Sequence, residues 1–170
     1  MKHLKYLKYV IIHKWFVLVA GLKIGAPLFR LIIHDWSKFL PSEWIPYAHY
    51  FYGEFWPKED LARCQMVCGT YPYKYDKNYW EFKFDVAWNH HQKRNKHHWQ
   101  YWLLQEDNGK LNPLQIPDKY IKEMVADWMG AGRAITGEWE VKEWYGKNKD
   151  KMIMHGNSRA KVEKILENIK

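Results

Sequence analysis

The spacing of apolar residues constrains the fold more than any other feature of this chain. Apolar side chains recur at steps of three and four through most of the sequence, and no stretch of useful length alternates between apolar and polar residues. Steps of three and four align side chains along one face of an α-helix, whereas a half-buried strand requires alternation. The sequence therefore predicts an all-α protein. Its 170 residues suit a single domain, with a core over about residues 3–135.

Glycine, proline and polar capping residues divide this pattern into segments. Pro27 favours the start of a helix, Ser42 can cap one, and Gly21, Gly130 and Gly132 are typical of helix ends. The C-terminal segment is amphipathic, with a stripe formed by Val162, Ile165, Leu166 and Ile169. The predicted helices cover residues 2–20, 27–35, 43–54, a segment around the two cysteines, 78–105, 118–129 and 158–169.

Net charge and aromatic content limit the partners without choosing among them. The formal net charge is +8, which favours anionic partners such as phosphate esters, nucleic acid or an acidic membrane surface. With 11 Trp and 12 Tyr residues, the chain is too aromatic to be disordered. Some of these rings can stack a nucleobase, although we expect most of them in the core.

The two cysteines and the N-terminal segment bear on the compartment. Cys64 and Cys68 lie four positions apart, a spacing that suits neither the usual zinc pair nor a disulfide framework, so we expect reduced core thiols. The basic start resembles a signal peptide, but the apolar run at 15–22 is too short to span a bilayer, and Lys23, Pro27 and Arg30 interrupt the apolar residues after it. We therefore expect a cytoplasmic protein without a membrane span.

The adjacent pair His34-Asp35 ends an apolar helical pattern. Two neighbouring groups that bind metals or protons are costly to hold at a core boundary unless they share a partner, and a divalent metal ion is the natural one. In the alternative reading, His34 satisfies helix carbonyls and Asp35 caps the next turn.

A second histidine-rich segment lies in the predicted long helix. If that helix is continuous, His91, Asn95 and His98 share a stripe with large apolar side chains, which predicts that they face the core. His90, Arg94 and His97 then fall on a neighbouring basic stripe, at the rim or on the surface. We therefore expect His91 and His98 to be metal ligands, and His90 and His97 to contact an anionic substrate.

The order of these residues resembles the HD superfamily of metal-dependent phosphohydrolases. The similarity rests on His13, then His34-Asp35, then His91 and His98, then Asp127. It implies that His13, His34, Asp35 and Asp127 bind one metal ion and that the additional histidines hold a second. Lys38 is similar to the lysine that follows His-Asp in many members and touches the substrate phosphate. More narrowly, HDWSKF, HHQKRNKHHW and DWMG look like a small family of uncharacterised bacterial and phage proteins.

This resemblance implies a single HD-like helical domain over residues 1–170 and hydrolysis of a phosphoester by a metal-activated water. The many Trp and Tyr rings, some of which can stack a nucleobase, favour a nucleotide or cyclic nucleotide as the substrate. Asp35 and Lys38 are the expected catalytic residues. The expected cofactor is one or two ions of manganese, iron, zinc, nickel or cobalt, because histidines mixed with carboxylates suit these metals better than calcium. The expected substrate contacts are Lys38, His90, Arg94, Asn95, His97 and Arg133.

Two other classes of function remain open. The chain could be a nucleic-acid-binding module that uses the basic rim around Lys93, Arg94 and Lys96, with structural histidines. It could also be a peripheral membrane protein that uses the N-terminal helix, whose apolar face is flanked by Lys2, Lys5, Lys8 and Lys14. The hydrolase reading instead predicts a small phosphorylated partner and no stable nucleic-acid complex. The sequence does not determine the oligomeric state.

Overall fold

A computed structural model describes residues 1–169 and confirms the all-α class. The chain is 73% helical, with eight α-helices and a single two-stranded sheet among these residues. Across the same range, no helix combines the length and the apolar character needed to cross a membrane. The elements are α1 (Lys2–Lys23), α2 (Leu28–Ile33), α3 (Pro41–Tyr52), α4 (Lys58–Cys68), α5 (Lys77–Arg94), β1 (Leu103–Gln105), β2 (Leu111–Pro113), α6 (Asp118–Thr136), α7 (Val141–Asn148) and α8 (Gly156–Asn168).

The largest difference from the sequence prediction lies in the segment expected to be one helix over 78–105. The helix α5 ends at Arg94, and a turn comes next in which the His98 N–H donates to the Asn95 carbonyl at 3.1 Å. Asparagine favours such turns because its side chain competes for backbone hydrogen bonds. The indole N–H of Trp102 then donates to the Lys96 carbonyl at 2.8 Å, which holds the turn closed. The prediction of a continuous helix is therefore wrong beyond Arg94.

A short hairpin comes after this turn, and the sequence analysis missed it. The strands β1 and β2 pair antiparallel over three residues each, with Leu104 opposite Asn112. They are joined by a turn that contains Asn108-Gly109, and Gly109 has a φ of 83°. An Asn-Gly pair is a strong hairpin signal because both residues tolerate positive φ. The strands were too short to show alternation.

The helix α6 is longer than predicted because Gly130 is a packing residue and does not end it. A Cβ atom at Gly130 would lie 2.5 Å from the Val17 backbone nitrogen of α1, so only glycine allows the two helices to approach this closely. The helix ends at Gly137, whose φ is 83° and whose N–H donates to the Arg133 carbonyl at 3.1 Å. This close approach positions the α1 and α6 side chains that form the site.

The cysteines differ from the prediction of core thiols. Both are free, but Cys64 is only half-buried and Cys68 is exposed on α4. Their sulfur atoms are 3.8 Å apart. The helix α4 buries Leu61 and leaves most of its other side chains in solvent, so the core does not enclose the two cysteines.

The described chain divides into two compact units. The first unit contains Met1–Lys8 and Ser37–His91, and its interior is aromatic, with the Tyr47 ring centroid 4.9 Å from that of Phe84. The second unit contains Tyr9–Trp36 and Gln92–Lys170. Its apolar core includes side chains from α1, α2, α6 and α8, among them Val17, Leu31, Met124 and Val162.

Candidate metal centre

Three segments of the second unit bring four polar side chains together at the edge of its core. His13 comes from α1, His34 and Asp35 directly follow α2, and Asp127 comes from α6. We call these four residues the metal cluster. Each offers a ligand atom within 4.8 Å of those of the other three, and all four residues are buried. The structure thus brings together the four residues that the family resemblance groups around one metal ion.

The backbone after α2 turns two adjacent side chains towards the same place. The helix ends at Ile33, and Asp35 adopts the left-handed conformation with a φ of 52°, the sole non-glycine residue of 1–169 with a positive φ. Aspartate tolerates this conformation better than most residues. The Lys14 ammonium donates to the His34 carbonyl and to the Ile32 carbonyl, which satisfies the exposed end of α2.

The four side chains converge through their outer atoms. The His13 Nε2 lies 3.3 Å from the Asp127 Oδ1 and 3.4 Å from the Asp35 Oδ2. The His34 Nε2 lies at the same two distances from the same two oxygens. Two imidazole nitrogens and two carboxylate oxygens therefore surround one point.

These distances fit ligands that share a divalent metal ion. Atoms about 2.1 Å from a common ion lie about 3.0 Å apart at right angles and about 3.4 Å apart at the tetrahedral angle. Within residues 1–169, neither the His13 Nε2 nor the His34 Nε2 makes a hydrogen bond of normal geometry, although both are buried. A buried nitrogen without such a bond is costly, and an ion would satisfy both nitrogens together. The cluster can thus hold a metal ion.

Glu123 supports the cluster from behind. The His34 Nδ1 donates to the Glu123 Oε1 at 3.2 Å, and the His97 Nδ1 lies 3.3 Å from the same oxygen. The other oxygen, Oε2, accepts from the Arg30 Nε at 2.8 Å. A carboxylate can only accept, so the proton of a neutral His34 resides on Nδ1 and leaves the Nε2 lone pair directed at the metal cluster.

The group formed by His34, His97 and Glu123 also has the spacing of metal ligands, but its chemistry differs. Glu123 already binds a cation through Arg30, and the His34 Nδ1 is a hydrogen-bond donor there. A nitrogen that donates a proton cannot bind a metal ion at the same time. We interpret this group as the support of the site, in the manner of carboxylates that orient metal-bound histidines.

The charges of the metal cluster and of Glu123 shift one another's pKa values. Burial by itself lowers the pKa of His34, but Asp35, Asp127 and Glu123 outweigh burial and hold that pKa well above its usual range. Burial by itself raises the carboxyl pKa values of Glu123 and Asp127. The imidazoles that face these carboxylates outweigh burial, and they lower the pKa of Glu123 to about 2 and that of Asp127 well below its usual range. A nearby positive charge therefore stabilises these carboxylates, and a proton supplies that charge when no metal ion is bound.

His97 lies inside the site, whereas the sequence analysis placed it at the rim. It is 1% exposed, and its Nε2 lies 3.3 Å from the Asp35 Oδ1. The cause is the end of α5 at Arg94, which removes His97 from the helical stripe assumed for it. His98 is also buried, and Asp35, His97 and His98 offer ligand atoms within 4.8 Å of one another. Asp35 therefore directs one oxygen to the metal cluster and the other to His97.

The other two histidines for which the sequence predicts a role, His90 and His91, belong to the first unit. His91 is buried as predicted, and its Nδ1 lies 2.8 Å from the Glu43 Oε2, which also accepts from the Ser37 hydroxyl at 2.9 Å. Its assignment as a metal ligand stays a prediction. His90 is exposed on α5, as expected for a residue outside the core.

The other proposed substrate contacts are scattered. Lys38 is buried in the short helical turn at Trp36–Phe39. Arg94 is exposed and Asn95 is buried, on either side of the end of α5. The Arg133 Nη1 lies 3.7 Å from the Glu138 Oε2, and the Arg133 guanidinium lies over the rings of Phe16 and Trp139. Their roles towards a substrate stay predictions.

The sequence analysis did not identify Glu123 or Arg30 as parts of the site. Glu123 precedes Asp127 by four positions on α6, which places both carboxylates on one face of the helix. That spacing, on a face otherwise lined by apolar residues, was the available signal. Arg30 offered none, because a single arginine on a short helix is usually solvated.

Comparison with known proteins relates the chain to a family whose function is unknown. The family model described as "Family of unknown function (DUF5662)" matches residues 2–168. No curated protein and no solved structure matches the chain. The site must therefore be interpreted from its own residues.

Proposed function

This chain belongs to the DUF5662 family, and from the chemistry of its metal cluster we propose that it is a metal-dependent phosphohydrolase. The proposal is carried by one observation, the convergence of His13, His34, Asp35 and Asp127 on a single buried point. Nitrogen and carboxylate ligands together suit zinc, manganese, iron, cobalt or nickel. When bound, such an ion lowers the pKa of a water molecule and neutralises charge on phosphoryl oxygens.

The residues of the chain supply the placement for this chemistry. Glu123 fixes the ring of His34 by accepting a hydrogen bond from its Nδ1–H group. Asp35 offers its two oxygens in two directions, so one ion or a pair of ions is compatible with the site. The net charge of +8 favours a phosphorylated substrate, and the many Trp and Tyr rings favour a nucleotide or cyclic nucleotide.

Metal content tests the first part of the proposal. The full chain is purified without chelator, and its metal is measured by elemental analysis. We expect a stoichiometric divalent ion that His34→Ala and Asp35→Ala both remove while the helical circular dichroism persists. His90→Ala is the matched control, since His90 is an exposed histidine on α5. Full metal content in either cluster variant would refute the site.

Turnover tests the second part. The metal-loaded protein is assayed for phosphate release from nucleoside phosphates and for ring opening of cyclic nucleotides. We expect activity that a chelator abolishes and added metal restores. A protein that binds its metal but hydrolyses no phosphoester would overturn the hydrolase while leaving the metal site intact.

Lys38→Ala tests the lysine that the family resemblance assigns to substrate phosphate. We expect a lower rate with unchanged metal content, because Lys38 is not among the proposed metal ligands. Metal content and rate are measured on the same sample. Equal loss of both would show that the buried Lys38 is structural.

A further inference from the structure

The helix α1 has apolar side chains on two opposite faces. Val10, Val17 and Ala20 form the buried face, and each is 0% exposed. On the opposite face, at the 100° step of an α-helix, Ile11, Trp15 and Leu22 are 56%, 60% and 56% exposed. Surface helices of globular proteins usually carry polar residues on the face away from the core. The outward face of α1 therefore requires its own explanation.

The neighbouring helix α2 continues this apolar surface. Leu28, Phe29 and Ile32 are all more than half exposed, as is Trp36 shortly after the helix. The two helices are closely packed, because a Cβ at Gly21 would lie 2.3 Å from a Leu31 methyl group. The Lys14 ammonium also joins α1 to the end of α2. We call Ile11, Trp15, Leu22, Leu28, Phe29, Ile32 and Trp36 the outer face.

The charged side chains of α1 and α2 have a single sign. Residues 1–34 contain Lys2, Lys5, Lys8, Lys14, Lys23 and Arg30 and no aspartate or glutamate. The first acidic residue, Asp35, is buried in the metal cluster. A large exposed apolar surface commonly marks an interaction site, and the two helices that carry this one contribute basic residues and no acidic residue.

We propose that the outer face binds the surface of an anionic lipid bilayer. Exposed tryptophan, phenylalanine and isoleucine enter the boundary between headgroups and acyl chains, while lysines at their border meet anionic headgroups. Each basic residue near such a surface contributes about 1 kcal/mol, which is about fivefold in the partition coefficient. The binding is peripheral and lies in the plane of the membrane.

The same charges argue against a second copy of this chain on the outer face. Two copies would bring lysines of one sign together around an apolar contact, and like charges disfavour association. An anionic bilayer instead gains from every lysine at the border. The outer face is also separate in its chemistry from the metal cluster, so this inference does not depend on the proposed hydrolase activity.

Vesicle flotation with the full chain tests the inference. The probes are vesicles of phosphatidylcholine alone and vesicles of phosphatidylcholine mixed with phosphatidylserine. We expect flotation with the mixed vesicles, much less with the neutral ones, and loss of binding as salt is raised, because salt screens the lysines. The double variant Trp15→Gln/Phe29→Gln should reduce binding at least tenfold, since it removes two large apolar anchors.

A matched control keeps the test specific. Met66→Gln/Val67→Gln removes two exposed apolar side chains of α4, which are 85% and 80% exposed, and it should leave vesicle binding unchanged. Circular dichroism and metal content, measured on both double variants, show that the outer-face substitutions leave the protein folded. Absence of flotation at low salt would overturn the inference, as would equal binding to neutral vesicles. Sedimentation that shows a dimer lost in Trp15→Gln/Phe29→Gln, without vesicle binding, would assign the outer face to self-association and overturn it too.

Discussion

Replacing Glu123 by glutamine should weaken metal binding without emptying the cluster of ligands. Glu123 is buried, and its Oε1 faces the Nδ1 atoms of His34 and His97 while its Oε2 accepts from Arg30. Glutamine has the same shape but one acceptor oxygen and a donor amide. Whichever way the amide is oriented, its NH₂ faces a donor, either Arg30 or an imidazole.

The size of the loss in metal affinity depends on how many imidazoles Glu123 contacts. Loss of a single carboxylate behind a metal-bound histidine typically costs tenfold to a hundredfold in affinity, or about 1.4–2.7 kcal/mol. Because one oxygen of Glu123 serves two imidazoles, we expect Glu123→Gln to lie near the hundredfold end. The metal-free protein should also lose about 1.5–3 kcal/mol of unfolding free energy, since the buried charge-assisted hydrogen bond to Arg30 is weakened.

The assay separates these two effects. Metal affinity is measured on folded protein by competition with a chromophoric chelator, and stability is measured by denaturant unfolding of the metal-free protein. Glu163→Gln is the matched control, because Glu163 accepts a bond from the Tyr145 hydroxyl at 3.3 Å and takes no part in the cluster. If folded Glu123→Gln bound metal within about twofold of the wild type, the orienting role of Glu123 would be refuted.

Further results are expected at the cluster and in the packing beneath it. His97→Ala should lower metal affinity at least tenfold in the same competition assay, while His90→Ala should not, and a wild-type metal affinity in His97→Ala would contradict the place of His97 in the site. Metal uptake should acidify a weakly buffered solution and strengthen as pH rises, because His34, whose pKa is raised, must lose a proton and the ionised carboxylates have none to lose. Affinity independent of pH between about 6 and 8 would contradict this. In the metal-free protein, the low pKa of Glu123 stabilises the fold above about 4.3, so unfolding free energy should fall as pH drops from there towards about 2. Gly130→Ala should lower the unfolding free energy by about 1–3 kcal/mol or more, since its Cβ meets the Val17 backbone. Gly132→Ala, with open space around it, should raise it by about 0.5–1 kcal/mol in denaturant titration.

The fold class was accessible from the periodicity of the sequence, whereas the metal cluster also required the family resemblance. Helical periodicity predicts which side chains face inwards, and His13, His34 and Asp127 stand out as polar groups on apolar faces. No tertiary information was needed to select them. The prediction that they meet then rested on the family resemblance.

The segment after Arg94 was not accessible in this way. Its turn depends on bonds such as the Trp102 indole to the Lys96 carbonyl, which join residues six positions apart and leave no periodic trace. A helix that ends eleven residues before its predicted end changes the direction of every later side chain. His97 was therefore assigned to the surface although it is buried beside Asp35.

Because Asp35 has a left-handed backbone conformation, its role in the chain geometry and its role in the metal cluster can be separated by substitution. Its backbone, with a φ of 52°, reverses the chain after α2, and its carboxylate joins the metal cluster. Glycine would keep the chain reversal and remove the carboxylate ligand. Asparagine would keep the reversal and the side-chain shape but would remove the negative charge. Alanine would strain the backbone at the reversal and also remove the ligand. Position 35 is thus a place where three single substitutions distinguish chain geometry, ligand shape and ligand charge.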